Sequence, residues 1–200
     1  TAIEFGRLGG LGVLNLEGIW TRFENADAQL EKIAAAPKHQ ATRMMQEIYA
    51  EPVKPELIGQ RIAEIKQRGA VACGSLTPQK VREHYEIAVE AGIDILVIQG
   101  TVISAEHVST TVEPLNLKEF ISEVPVPTVV GGCASYSTGL HLMRTGAAAV
   151  LVGVGPGAAC TTRGVLGIGV PQATAIADVA AARSQHMLET GEYVKVIADG

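Results

Sequence analysis

Short apolar runs alternate with stretches of helical periodicity along the chain. Apolar residues that recur every three or four positions predict helices, such as Asn25–Ala50, interrupted by Pro37, and Gln172–Glu189. Thr77–Pro78 has the composition of an N-cap followed by a first helical residue, and predicts a helix beginning there. Continuous apolar runs predict six strands, the first of them buried on both faces: 11–16, 70–74, 94–98, 127–130, 149–152 and 194–198.

This alternation of strand and helix predicts an α/β fold made of parallel βαβ units. Six strands would also fit a doubly wound sheet, but the repeat never reverses its character, and glycines follow several strands, as in barrels with functional C-terminal loops. An eight-stranded barrel typically needs about 250 residues. The chain has 200 residues, begins within a helical pattern and ends just after a strand. We therefore expect one (β/α)8 TIM-barrel domain over residues 1–200 that lacks its first and last strands.

Net charge, the length of the apolar runs and the cysteine spacing exclude several classes of partner and site. The net charge of −5 provides no basic face for nucleic acid, and no apolar run reaches the roughly 20 residues that a membrane span needs. Cys73, Cys133 and Cys160 are far apart and form no C-x-x-C pair, so neither a disulfide framework nor a zinc site is expected. A reducing cytoplasm fits this cysteine usage best.

The richest chemistry follows the fifth predicted strand. Alternating glycines at 153, 155 and 157 allow a sharp turn and a close approach to a ligand, and their N–H groups can hold an anion. Cys160 comes three residues later, followed by Thr161, Thr162 and Arg163. A phosphate cradle and a candidate nucleophile on one loop are typical of an enzyme. The alternative is an ordinary strand–helix turn with a buried cysteine.

The segment from Gly153 to Gln172, GVGPGAACTTRGVLGIGVPQ, resembles the catalytic loop of the inosine monophosphate dehydrogenase and guanosine monophosphate reductase family. The resemblance continues through Phe5–Gly18, Val126–Gly132 and Val196–Gly200 and covers essentially the whole chain. The segment between the first two predicted strands contains helical linker and leaves no room for the pair of CBS domains that many dehydrogenases insert there. That compact linker is similar to the reductases and to a dehydrogenase-related subgroup.

The resemblance implies a role for each matching residue. Cys160 would attack C2 of a purine ring, and Thr162 would move protons together with a glutamate beyond residue 200. Asp199 would accept the ribose hydroxyls of a purine nucleotide monophosphate (GMP, IMP or XMP). The 5′-phosphate would bind to Gly157, Ala158, Ala159 and Gly200. A cofactor (NADPH or NAD) would lie near Gln99, Gly132, Cys133, Gly153 and Gly155. An optional K⁺ would bind to the carbonyls of Gly155, Gly157 and Cys160. The family usually forms homotetramers, and a homo-oligomer (tetramer or octamer) is expected.

Four positions depart from the pattern of this family. Ala158 replaces a phosphate-binding serine, and Leu151 replaces an arginine or lysine. Gln99 stands where an aspartate usually touches the nicotinamide ribose, and Cys133 stands where an asparagine follows the two glycines. These changes indicate retained purine chemistry with remodelled cofactor contacts. A polar loop, predicted from Gln99 to Ser109, is a candidate cofactor loop that contains His107.

Three function classes follow. The first is a purine nucleotide oxidoreductase, with NADPH-dependent deamination of GMP to IMP favoured because of the compact linker and the altered cofactor contacts. NAD-dependent oxidation of IMP to XMP is the alternative within this class. The second is an FMN-dependent barrel oxidoreductase, because such barrels also bind phosphate on late glycine-rich loops. The third is a non-catalytic purine nucleotide sensor.

Overall fold

The computed structural model describes residues 1–100 and 115–200. Strands and helices alternate along these residues, as the apolar pattern predicts. The strands are β1 (Val13–Asn15), β2 (Cys73–Leu76), β3 (Ile95–Gln99), β4 (Thr128–Cys133), β5 (Ala149–Val152) and β6 (Lys195–Ala198). The helices are α1 (Ala2–Arg7), α2 (Ala26–Ala35), α3 (Lys38–Ala50), α4 (Pro55–Gln67), α5 (Val81–Glu90), α6 (Leu117–Glu123), α7 (Tyr136–Met143), α8 (Thr162–Leu166) and α9 (Gln172–Thr190), with a 3-10 turn at Ile19–Thr21.

Residue contacts divide the chain into two compact units. The first unit comprises residues 1–76 and 80–95, and the second comprises 77–79 and 96–200. A single domain over residues 1–200 therefore stays a prediction. Among the described residues, none of the helices has both the length and the hydrophobicity that crossing a membrane would require.

In the first unit, β1 pairs in parallel with β2, with Val13 opposite Cys73. The Asn25 side chain caps α2 by accepting the N–H of Ala28 at 3.1 Å. Pro37 separates α2 from α3, because proline cannot continue the backbone hydrogen bonds of a helix. The inner face of α4 supplies much of the core, with four buried residues at helical spacing: Leu57, Ile58, Ile62 and Ile65.

In the second unit, β3, β4, β5 and β6 are parallel neighbours in that order. Buried valines and isoleucines of these strands, such as Ile98, Val130 and Val150, form the centre of the unit. Helices α7 and α9 pack against each other, and Gly139 makes their close approach possible because a Cβ there would lie 3.0 Å from Val179 Cγ1. Since the four strands are parallel, all four carboxyl ends lie at one edge of this sheet, which is where the site is built.

Some local predictions were wrong. The run at 11–16 forms only a three-residue strand, and Val13 is 48% exposed while Leu16 is buried, because alternate residues of a strand face opposite sides. Helix α5 begins at Val81 rather than at Thr77, since residues 78–80 form a turn first. Helix α8 was not predicted. The polar loop expected after Gln99, with His107, lies beyond Gly100 outside the described residues.

Candidate active site

Strand register brings the predicted site residues to one edge of the second unit. Gln99 ends β3 and pairs with Gly131, and Gly131 pairs with Leu151 of β5. At the end of β5, Val152 pairs with Ala198, the last residue of β6. Gln99, Gly153 and Asp199 therefore lie at the carboxyl ends of three strands of one parallel sheet, β3, β5 and β6, although Gln99 is distant from the other two in sequence. Ligands of open and closed α/β folds bind at this edge.

The glycine-rich loop after β5 is fixed at both of its ends. Val170 donates its N–H to the Val154 carbonyl at 3.0 Å. The side-chain amide of Gln172 donates to the Val152 carbonyl at 2.7 Å, which ties the start of α9 to the end of β5. The loop between these two bonds is consequently closed on itself, with Cys160 in its middle.

Glycine is required inside the loop because the Arg163 side chain folds back over it. A Cβ at Gly155, where φ is +67°, would lie 3.0 Å from Arg163 Cγ, and a Cβ at Gly169 would lie 2.6 Å from the same atom. The positive φ at Gly155 also disfavours any other residue. The aliphatic part of Arg163 thus packs between two glycines, and its charge remains near the cysteine.

Cys160 is exposed, and its surroundings favour the thiolate. A hydrogen bond with the Thr162 side chain lowers the pKa of the thiol from its ordinary value, and the Thr162 N–H and the Arg163 charge act in the same direction. The negative charge of Asp199 opposes them. Since the thiolate is the nucleophilic form of cysteine, this setting favours the reactive form of Cys160.

The other two cysteines have the opposite character. Cys73 is 2% exposed and Cys133 is 1% exposed, and burial raises the pKa of each thiol to about 11. The Cys133 thiol donates to the Leu151 carbonyl at 3.4 Å, so it points into the sheet. Any contribution of Cys133 and its neighbour Gly132 to cofactor binding would therefore come from the backbone.

Asp199 and Gly200 approach the loop so closely that glycine is needed on both sides. A Cβ at Gly153 would overlap the Asp199 carbonyl oxygen, and a Cβ at Gly200 would overlap Pro156 Cγ. A Cβ at Gly157 would lie 3.5 Å from Cys160 Cβ and 3.7 Å from the Gly200 backbone. The end of β6 and the cysteine loop therefore form one continuous surface.

A direct bond joins Gln99 to Asp199. The Gln99 Nε2 donates to Asp199 Oδ2 at 3.0 Å. Sequence reasoning assigned the two residues to different ligands and missed this contact, which becomes visible only once strand order is known. It also missed the anchoring bond of Gln172, for which a polar side chain directly after Pro171 was a weak signal.

Backbone groups of the loop fit an anion. Within the described part of the chain, the N–H groups of Ala158 and Ala159 donate to no acceptor, and both residues are exposed. The Gly157 carbonyl accepts the Cys160 N–H at 3.1 Å, so this one carbonyl of the predicted K⁺ ligands already has a donor. The described residues contain no cluster of three or more histidine, cysteine or acidic side chains arranged for a metal ion.

Comparison with known proteins shows the family of the chain. The chain matches the IMP dehydrogenase / GMP reductase domain over residues 1–200. It belongs to that family. A crystal structure of an IMP dehydrogenase/GMP reductase-like protein from Corynebacterium glutamicum superposes with a TM-score of 0.91 at 48% identity, covering 100% of this chain and 53% of that one. The fold is therefore the α/β TIM barrel of this family, and residues 1–100 and 115–200 contain six of its strands.

Two curated proteins are also similar to this chain in sequence. An uncharacterized oxidoreductase of Mycobacterium tuberculosis is 52% identical over 206 residues, covering 100% of this chain and 55% of the relative. The inosine-5′-monophosphate dehydrogenase of Haemophilus influenzae is 36% identical over 148 residues, which is 74% of this chain and 27% of that enzyme. The chain thus spans about half the length of the more similar relative.

Proposed function

We propose that the protein is a purine nucleotide oxidoreductase that acts through a covalent bond between Cys160 and C2 of the purine. The observation that carries the proposal is the exposed Cys160 thiol, whose pKa is lowered by the Thr162 hydroxyl on a glycine-rich loop. The N–H groups of Ala158 and Ala159, which have no acceptor among the residues that the structure describes, support phosphate binding without the serine that is usual in the family. The Asp199 carboxylate supports binding of a ribose diol, since a carboxylate accepts two hydroxyl donors.

Two reactions fit such a bond, and we propose reductive deamination of GMP to IMP as the first candidate. The Cys160 thiolate would add to C2 of GMP, and the 2-amino group would take up a proton and leave as ammonia. Hydride arriving at C2 would then release the thiolate and give IMP. NADPH supplies that hydride when it is bound. Thr162, which faces the thiol, would hold the proton on its way to ammonia. Two features favour this direction: the helical linker of residues 16–72 and the uncharged glutamine at position 99, where the family usually has an aspartate.

Oxidation of IMP to XMP is the second candidate, and the relative from Haemophilus influenzae, named a dehydrogenase, favours it. In this direction the thiolate adds to C2 of IMP, hydride leaves C2 for NAD⁺, and water releases the product XMP from the cysteine. The same residues serve both directions. The choice between them depends on which groups deliver water to C2 or a proton to the departing ammonia.

Two assays with the full-length protein separate the candidates. NADPH consumption with GMP and NADH formation with IMP are each followed by the absorbance of the reduced nicotinamide, with a Cys160→Ala variant as the control. We expect NADPH loss with GMP that vanishes in the variant. NADH formation with IMP instead would select the dehydrogenase. Silence in both assays with nucleotide still bound would contradict oxidoreductase activity and favour a sensor.

A further inference from the structure

The side chain of Gln99 is placed to act on the nucleotide rather than on the cofactor. Its amide nitrogen is used in the 3.0 Å bond to Asp199 Oδ2. Within residues 1–100 and 115–200, Asp199 Oδ1 receives no donor. One oxygen of the carboxylate is therefore held by the protein, and the carboxylate lies close enough to Cys160 for its charge to affect the pKa of the thiol.

Contacts with the end of β5 fix the backbone of Asp199, so that only its side chain could still change conformation. Its N–H donates to the Val152 carbonyl at 2.8 Å, and its own carbonyl oxygen packs against Gly153. An exposed carboxylate without a partner would rotate among several conformations, and binding would have to pay the entropy of ordering it. The bond from Gln99 selects one orientation before any ligand arrives.

The bond to Asp199 requires an uncharged donor at position 99 as well as a side chain of the right length. An amide nitrogen is a donor and carries no charge, so it can lie 3.0 Å from a carboxylate without repulsion. A second carboxylate at the same distance would repel the first and could not donate when ionised. Gln99 thus keeps Asp199 available as an acceptor for hydroxyl groups.

We propose that Gln99 is a positioning residue for the nucleotide, which orients the Asp199 carboxylate toward the two ribose hydroxyls. This role rests on the proposed function, in which Asp199 binds the ribose. Gln99 determines the affinity for nucleotides that carry a ribose diol and does not take part in bond making at C2. The contact also accounts for the glutamine at this strand end, where the family usually has an aspartate.

The test compares ligands with and without the diol. Binding of IMP and of 2′,3′-dideoxy-IMP is measured by calorimetry at pH 8 for the full-length protein and for its Gln99→Leu and Gln99→Glu variants. We expect IMP to bind about threefold more weakly to Gln99→Leu, which loses an exposed hydrogen bond to a charged group. Gln99→Glu should weaken IMP by about tenfold, because two carboxylates then face each other. Dideoxy-IMP should bind all three proteins equally.

A matched control is available on α9. Gln185 donates to Glu189 Oε1 at 2.9 Å, also an exposed amide–carboxylate bond within the same unit. Gln185→Glu should leave both affinities unchanged. In turnover, the Gln99 variants should raise the KM for the nucleotide while kcat at saturation stays within about twofold, because the chemistry at C2 does not involve Gln99.

Each other outcome overturns the proposal in a recognisable way. Equal weakening of IMP and dideoxy-IMP would show that Gln99 supports the site only as a structural bond. A raised cofactor KM with unchanged IMP affinity would assign Gln99 to the cofactor. Failure of the unaltered protein to bind any purine nucleotide would overturn the proposed function, and the role of Gln99 with it. Unaltered binding by both variants would overturn the role of Gln99 alone.

Discussion

Gly153 lies against the carbonyl oxygen of Asp199, so closely that a Cβ at residue 153 would overlap that oxygen. The contact joins the end of β5 to the end of β6, next to the bond from the Asp199 N–H to the Val152 carbonyl. The absence of a side chain at residue 153 therefore allows the backbone of Asp199 to lie against the end of β5. Glycine here serves the ligand site as well as the turn.

Replacing Gly153 with alanine should consequently displace Asp199. We expect purine nucleotide affinity to fall by about tenfold, the effect of losing well-placed hydrogen bonds to a charged group. Gly164→Ala is the matched control, because a Cβ at Gly164 in α8 meets no atom of the described residues within 4 Å. Calorimetric titration with IMP measures both variants. Equal affinities in the two variants would contradict a shared surface of Gly153 and Asp199.

Alkylation should distinguish the three cysteines. Iodoacetamide at neutral pH is expected to modify Cys160 in the folded protein and to leave Cys73 and Cys133 intact, because both are buried and the pKa of each thiol is raised to about 11. Peptide mass spectrometry gives the site of modification. In denaturant all three should react. Preferential labelling of Cys133 in the folded state would show that its pocket opens to solvent.

The pH dependence of this labelling tests the role of Thr162. The Thr162 hydroxyl lowers the pKa of Cys160, so its thiolate persists below the ordinary range of a cysteine. In Thr162→Val the lowering by the hydroxyl is lost, and the midpoint of the alkylation rate should move to higher pH. Thr161→Val is the control, since Thr161 is exposed and its side chain makes no capping bond. An unchanged midpoint in Thr162→Val would exclude the hydroxyl as the cause.

The packing of α7 on α9 is expected to tolerate no large residue at Gly139. A Cβ there would already lie 3.0 Å from Val179 Cγ1, so Gly139→Leu would force the helices apart. We expect a loss of ~1–3 kcal/mol in the free energy of unfolding, as for other overpacked cores. Denaturant titration measures it. Gly59→Ala in α4, whose Cβ would meet Ala91 at 3.9 Å, should not destabilise the protein.

Sequence periodicity was sufficient for the main elements of the second unit. The range predicted for α6, Leu117–Glu123, and for β5, Ala149–Val152, is the range observed. Both are bounded by clear signals, such as the Asn116 cap and the glycines after Val152. Short segments were less predictable. Helix α8 has five residues, and its position depends on the closed loop around it rather than on periodicity.

Contacts within the Cys160 loop could be predicted from the sequence, whereas contacts between residues of different strands could not. Cys160 and Thr162 are neighbours in sequence, so their proximity followed from the loop itself. The bond between Gln99 and Asp199 joins residues one hundred positions apart and depends on strand order and register. Burial of the Cys133 thiol likewise depends on which face of β4 it occupies at the bulge between Gly131 and Cys133.

The proposed function depends on a covalent bond between Cys160 and the purine. The most direct measurement is acid quenching of the full-length protein during turnover, first with GMP and NADPH and then with IMP and NAD⁺, followed by peptide mass spectrometry. We predict a purine nucleotide adduct on the peptide that contains Cys160, and its absence in Cys160→Ala together with loss of turnover. Sustained turnover by Cys160→Ala, with no adduct in the unaltered protein, would exclude covalent catalysis by Cys160.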